Sequence, residues 1–382
     1  MEDAEKLRQG YILAVLQHQH DVNKLALFQL CASRRRRRRG QRRRIWIRAW
    51  IGRRWQYGIY DRLLLELRNK DNASFTNFMR MPPEMFDELL ARVGPRITKQ
   101  HTWYRAPIEP CLKLALTLRH LASGSRYASM KFGWRVPHNT QSLIVREVCQ
   151  AIIDEYLEEV MRCPTTPDGW RAIFNDFHIK WNFPHTLGAL DGKHIACRCP
   201  PNSGSMYYNY KGFYSIVLMA LVDADYKFIW ADVGGMGSAS DGQIYNHCEL
   251  KEGAENGTIW DPMPNGTQDV PYFWIGDDAF ALRHYMMKPY GQRGLTKEER
   301  IFNYRLSHAR RVVENEFSIL SNCFQVLLST MQHHPLGQNL EDTQTVSGPP
   351  NIAFMDGKTQ RELIKHWVNS PGGAVPWQYR MI

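Results

Sequence analysis

The chain has 382 residues, 43% of them hydrophobic and 12% aromatic, with a formal net charge of +11. That is length for two or three domains and enough apolar residues for real cores. No apolar run reaches the roughly 18 residues a membrane helix needs, and the acidic, polar start MEDAEKLRQG does not fit a secretory signal, so membrane and export readings fall away.

Residues 4–31 carry a helical pattern of mixed face. The basicity follows at once: between Arg34 and Tyr60 stand 12 arginines and no acid, so the remaining chain is close to neutral. The run RRRRRRGQRRR contains Arg34, Arg35, Arg36, Arg42, Arg43 and Arg44. It reads as a nuclear-import signal, a nucleic-acid arm or both, against the plainer alternative of a solvated linker. The expected location is nuclear, with the cytoplasm as a second compartment. Eight cysteines show no C-x-x-C pair and read as reduced core thiols. His194, Cys197 and Cys199 are close in sequence, but strand alternation puts His194 and Cys197 on opposite faces, which argues against zinc.

From about 59 to 160 the pattern is helical. MPPEMFDELLARV places Pro82 and Pro83 near a helix start, with Phe86, Leu89, Leu90 and Val93 at helical spacing. PIEPCLKLALTLRHLASG repeats that logic and stops at Gly124. Next comes a short helix, a turn through Gly133 and Pro137, and a second helix capped near Asn139 or Thr140. This is a helix-turn-helix outline, and in a DNA-binding version His138, Thr140, Gln141 and Ser142 would face base edges. Many helix pairs of this outline touch no DNA.

After the Pro-rich joint CPTTPDGW the pattern turns to strands. TLGALD ends in a carboxylate, and YSIVLMALVDA is a continuous apolar run typical of a buried strand. KFIWADVGG follows across a tight turn at 224–226, predicting an antiparallel hairpin. A helix opens at Ser240 or Asp241, PYFWIGDDAF is another buried strand, and Phe302, Leu306, Ala309, Val313, Phe317, Leu320 and Phe324 mark a long amphipathic helix.

Hydrolysis of a phosphodiester by paired cations needs several carboxylates converging on one point, because hard cations prefer oxygen. Aspartates at the ends of neighbouring strands, with an acid on a covering helix, supply such a point. Asp191 closes one apolar strand beside Gly192, Asp277 closes another beside Gly276, and Glu314 flanks the apolar stripe of the long helix. Arg310, one turn before Glu314, can hold that acid or a DNA phosphate. A lone strand-terminal aspartate is usually only a turn former or a cap.

GALDGKHI (188–195), the segment 203–228, DVGGMGSASDG (232–242), IGDDAF (275–280) and FNYRLSHARRVVENEF (302–317) resemble, in order, the DDE domain of PIF/Harbinger transposases. They also resemble its domesticated relatives, the Harbinger transposase-derived nucleases and ALP-like proteins. The resemblance covers roughly residues 60–330. It implies an α/β fold, an RNase H-like mixed sheet flanked by helices, preceded by an all-helical N-terminal domain with a helix-turn-helix-like segment. It also implies metal-dependent cleavage of DNA, with Mg²⁺ or Mn²⁺ as the divalent cation, and a separate Myb/SANT-like DNA-binding partner; two-ended DNA chemistry suggests a homodimer. Carried over, the first acid falls on Asp191, the glutamate on Glu314, and the middle acid on Asp277, with Asp241 as competitor. Lys193, His194, Asn209 and Lys211 surround the first acid as candidate phosphate contacts. Tyr207, Tyr208 and Tyr210 would stack on bases or merely pack. Asp278 and Glu316 read as a spare turn acid and a surface acid.

The expected domains are an N-terminal helix (1–33), a basic Arg/Trp segment (34–58), a helical domain (59–163), the nuclease domain (164–330) and a polar C-terminal tail (331–382). In that tail the chain departs from the family. Relatives continue into another apolar helix, whereas CFQVLLSTMQHHP runs into polar LGQNLEDTQTVSGPPN, and the helix looks absent. Two functions follow: a metal-dependent DNA endonuclease of transposase descent, or a weakened relative kept as a DNA-binding or adaptor protein. RNA processing is a minor third.

Overall fold

The computed structural model describes residues 47–101, 106–161, 163–164, 167–255, 270–291, 293–331 and 356–381. The helix expected over residues 4–31 and the arginine run at 34–44 lie outside them. The chain divides into two units, residues 1–54 and 55–382. In the first, Ala49–Gly52 forms one helical turn.

The second unit begins with helices. A π-helical turn at Tyr60–Leu64 leads into α1 (Leu65–Lys70), α2 (Asn72–Met79), α3 (Pro83–Ile97) and α4 (Pro110–Ser123). Then come α5 (Tyr127–Trp134) and α6 (His138–Val160). Proline opens α3 and α4, where its missing N–H leaves no bond unmade. Asp71 caps α2 by accepting from Ser74 N at 2.9 Å. α4 stops at Gly124, whose φ of 62° suits glycine. Phe75, Phe86, Val93, Leu116, Ile144 and Val148 meet in one apolar core. Each such side chain contributes about 1.5–3 kcal/mol on burial.

The helix-turn-helix outline is corrected in detail. Gly133 lies inside α5, the turn is Arg135–Pro137, and α6 starts directly after Pro137 without a side-chain cap. Gln141 is fully buried and its Nε2 donates to the Val136 carbonyl at 2.7 Å, so it closes the turn and is withdrawn from any base-reading set. His138 is exposed, while Thr140 and Ser142 are half-buried.

The joint CPTTPDGW opens a helix, not a strand: α7 (Pro167–Trp181). Five strands follow, β1 (Thr186–Ala196), β2 (Ser215–Val222), β3 (Phe228–Met236), β4 (Phe273–Ile275) and β5 (Met286–Met287), ordered β3-β2-β1-β4-β5. β2 is antiparallel to both β1 and β3, while β4 runs parallel to β1 and β5 parallel to β4, so the sheet is mixed. The β2–β3 hairpin is tied by Asp223, whose Oδ1 accepts from Asp225 N at 2.8 Å and Lys227 N at 2.9 Å. Every residue of β2 is buried, because both faces are covered, and its sequence shows no alternation.

One face packs on α10 (Lys297–Cys323) through Phe302, Leu306 and Val313. The other is covered by α8 (Asp241–Tyr245) and α9 (Glu249–Glu255). α10 starts at a reciprocal capping box between Thr296 and Glu299.

The tail is not uniformly polar, and the helix that looked absent is present. α11 (Gly357–Asn369) sends Ile364 and Val368 into the core that holds Phe302 and Val313. The polar stretch before it, residues 336–351, lies outside the described residues. Beyond α11 the chain returns to α10. Arg305, fully buried, donates from Nη1 to the Gly373 carbonyl at 3.0 Å and Gln378 Oε1 at 2.8 Å, and from Nη2 to the Asn182 carbonyl. No helix among the described residues is long and apolar enough to cross a membrane.

Candidate active site

β1 does not end at Asp191, as the strand pattern predicts, but continues to Ala196. What ends is its neighbour: β4 stops at Ile275, paired with Ala189. Past that point the β1 edge opens, and Asp277, two residues beyond Ile275, falls level with Asp191, two beyond Ala189. Asp277 is held in an Asx turn, its Oδ1 accepting from Ala279 N at 2.9 Å.

Asp241 arrives from α8. Ser240 accepts from Gln243 N, and Gln243 Oε1 accepts from Ser240 N at 2.9 Å, a capping box that fixes Asp241 in the first turn. Two glycines permit the approach. A Cβ on Gly192 would lie 2.2 Å from Asp241 Oδ1, and one on Gly242 would lie 2.4 Å from the Ala279 carbonyl oxygen. Carboxylate oxygens of Asp191, Asp241 and Asp277 consequently lie within 4.8 Å of one another. Among the described residues they form the one such group of His, Cys, Asp and Glu, and His194, Cys197 and Cys199 form none.

The cluster carries strained electrostatics. Burial, then the neighbouring Asp277 and Glu314, pushes Asp191 up to about 6, although Arg310 and the Gly192 N–H oppose the shift. Burial, then Asp191 and Asp277, pushes Asp241 up to about 7, with Lys211 opposing. Asp241 Oδ1 is buried and has no hydrogen-bond partner. An all-oxygen donor set, crowded like charges and an orphaned carboxylate oxygen fit a hard divalent cation.

Glu314 sits outside the group of three but is tied to it. Arg310 pairs with Glu314 Oε1 at 2.7 Å and with Asp191 Oδ2 at 3.5 Å, so it bridges both acids at once. The Glu314 side chain is 47% exposed, against 17% for Asp191. Glu316, read from sequence as a surface acid, is only 8% exposed and sits where burial and Asp223 raise its pKa. Asp278 pairs with Lys288 at 3.0 Å.

Lys193 lies with Nζ 5.7 Å from the Phe317 ring, and burial, then Lys211, holds it below the usual lysine range. His194 bonds through Nδ1 to Ser215 Oγ at 2.9 Å, and burial, then Lys211, lowers its pKa too. Asn209 is buried and organises its own turn, with Oδ1 accepting from Lys211 N and Phe213 N, so it is structural. Lys211 is exposed, with Nζ 5.3 Å from the Tyr210 ring. Tyr210 is 82% exposed, whereas Tyr208 packs on Tyr214 and Tyr207 joins the sheet core. The arginines at 34–36 and 42–44 lie outside the described residues. Sequence reasoning missed the double role of Arg310 and the part played by Gly242; the capping signature S-x-x-Q at Ser240 was the available pointer to a fixed Asp241.

Residues 190–346 match the family described as DDE superfamily endonuclease. Human HARBI1, provisionally named a nuclease, is 23% identical over 246 residues, 64% of this chain and 67% of its own length. The ALP1-like protein of Arabidopsis thaliana is 21% identical over 271 residues, 68% of this chain and 66% of its own. HARBI1 of Xenopus laevis is 22% identical over 260 residues, 66% and 70% respectively. The chain thus spans about two thirds of the length of these curated relatives. No solved structure matches it. The mixed five-stranded sheet flanked by helices, the clustered acids and these matches make residues 190–346 similar to DDE superfamily endonucleases and support kinship with the Harbinger-derived nucleases.

Proposed function

We propose that the protein is a divalent-cation-dependent DNA endonuclease, with Asp191, Asp277 and Glu314 as its working acids and Asp241 as a further ligand. The observation that carries this reading is the meeting of three carboxylates within 4.8 Å, one with an orphaned oxygen. Mg²⁺ or Mn²⁺ suits such donors, and when bound supplies Lewis-acid polarisation of the phosphate and a lowered pKa for the attacking water. Asp191 lies between the other acids: it faces Asp241 and Asp277 and shares Arg310 with Glu314. Arg310 bridges the two carboxylates and sets the orientation of Glu314. Lys211, exposed and felt by Asp241, is a candidate for a substrate phosphate, as is Lys193, felt by Asp191.

The binding-only alternative drew its support from an absent helix, and α11 removes that support. DNA as substrate, action as a homodimer, a Myb/SANT-like partner and a nuclear location belong to the same proposal. Removing residues 34–44 and finding unchanged nuclear accumulation would discard import through the arginine run.

The test is cleavage of plasmid and end-labelled duplex by purified protein with Mg²⁺ or Mn²⁺. Wild type is run beside Asp191→Asn, Asp241→Asn, Asp277→Asn and Glu314→Gln. Metal-dependent nicking lost in the Asp191, Asp277 and Glu314 variants is expected. A folded wild type that binds DNA and never cuts it sinks the enzyme reading.

A further inference from the structure

Away from the carboxylates, α1, α2 and α4 border a cavity of about 360 Å³ lined by Leu67, Ser74, Asn77, Phe78, Arg80 and Arg119. Its charged groups are all cationic. Arg80 Nη1 donates to Asn77 Oδ1 at 2.9 Å, which leaves the Asn77 amide N–H groups as further donors. Arg119 spends one N–H on the Phe78 carbonyl at 3.0 Å and lies 4.2 Å from the Phe78 ring. Neither guanidinium has a carboxylate partner among the described residues. On the bordering helices Glu66 pairs with Lys70 and Arg68 with Asp87, while the Asp71 carboxylate accepts from Ser74 N.

Two further observations point to an absent anion. Arg119 is half-buried, and burial followed by the charge of Arg80 holds its pKa below the usual value. Arg80 occupies the left-handed position that ends α2, with φ at 63°. Glycine is the residue that position favours, and Gly124 fills its counterpart at the end of α4. A strained backbone under an arginine indicates that its side chain is needed where it points. The second left-handed arginine that ends a helix, Arg135, lies instead 5.1 Å from the Tyr57 ring.

We propose that Arg80 and Arg119 form an anion site that takes a phosphate of the DNA backbone, an assignment that rests on the DNA reading above. Guanidinium forks match phosphate oxygens in geometry, and paired cations with no carboxylate beside them suit a phosphate. The plainer alternative is that both arginines merely neutralise the carbonyl end of α2.

The experiment is anisotropy of a labelled DNA duplex with the full chain in EDTA, so that catalysis plays no part. Affinity is followed over roughly 50 to 200 mM salt, where each lost phosphate contact flattens the log–log slope by about 0.9. Arg80→Gln and Arg119→Gln are each expected to flatten it by about one contact, and Arg119→Lys to retain it. Arg80→Gly separates folding from binding: relieving the left-handed strain raises the melting temperature while the slope still falls. A stability gain with an unchanged slope overturns the proposal, as does a slope loss that Arg119→Lys fails to recover. Titration of inorganic phosphate is the second arm. Saturable phosphate binding with unaltered DNA slopes would assign the pocket to a free anion and overturn the backbone assignment. If wild type binds no DNA, the DNA reading itself falls and this site with it; if wild type binds and the variants match it, only this site falls.

Discussion

The Asp241 carboxylate occupies the space that a side chain at Gly192 would fill, with 2.2 Å between Oδ1 and a Cβ built at that position. The closeness of Asp191 and Asp241 is therefore conditional on residue 192 having no side chain. Gly192→Ala should push Asp241 out of the cluster while leaving the buried sheet paired. We expect metal-dependent cleavage to fall about tenfold or more, some 1.4 kcal/mol of barrier, with the far-UV circular dichroism unchanged. Wild-type cleavage rates in that variant would show that Asp241 is dispensable.

Crowded acids also give the protein a predictable response to pH. Asp191 and Asp241 have folded-state pKa values raised to about 6 and about 7. A raised value means the folded state holds protons more tightly than the unfolded chain. The resulting stabilisation is complete below the ordinary aspartate range and is lost as pH rises through about 6 to 7. In EDTA the melting temperature should fall across that window, and Mg²⁺ or Mn²⁺ should restore it, more strongly above the window than below. A melting temperature that rises through the window, or a cation effect independent of pH, contradicts the assignment.

Gln141 offers a test of the helix pair. Its Nε2 bond to the Val136 carbonyl is buried, so Gln141→Ala should cost about 1–3 kcal/mol in urea unfolding. Discrimination between DNA sequences should not change. Unaltered stability with altered discrimination would return Gln141 to a base-reading role.

The C-terminal helix is open to the same kind of measurement. Ile364 is 2% exposed, and Ile364→Ala should remove about 2–5 kcal/mol. A loss below about 0.5 kcal/mol, the level of an ordinary surface change, would mean that α11 does not pack as described.

These cases also mark what the sequence could reveal. The run SIVLMALV and the stripe from Phe302 to Phe317 were legible because burial on two faces, or on one helical face, imposes its own period. Asp191 and Asp277 were legible because apolar strand patterns lead up to them. Rivalry between Asp241 and Asp277 was not decidable, since Asp241 meets Asp191 only through the close approach at Gly192, which no strand pattern announces. α7 was hidden because Pro167, Asp168 and Gly169 look like a loop, although they are the first turn of a helix. α11 was hidden by the polar stretch before it and by an apolar face of only a few residues. The burial of Arg305 was invisible to any rule of composition, since arginine is seldom fully buried.

Arg305 has a consequence for the order in which the molecule is completed. One guanidinium on the glutamate-bearing helix is satisfied by the carbonyl of Asn182, just before β1, and by Gly373 and Gln378 near the other end of the described chain. During synthesis, α10 leaves the ribosome long before residue 378 does. Until then that cation has no partner from the C-terminal segment and is costly to bury. A nascent chain is therefore expected to hold the helix bearing Glu314 loosely, and to set it against the sheet only when Gly373 and Gln378 arrive. Chains truncated upstream of residue 373 would keep only the Asn182 carbonyl for Arg305 and leave its Nη1 without the Gly373 and Gln378 acceptors.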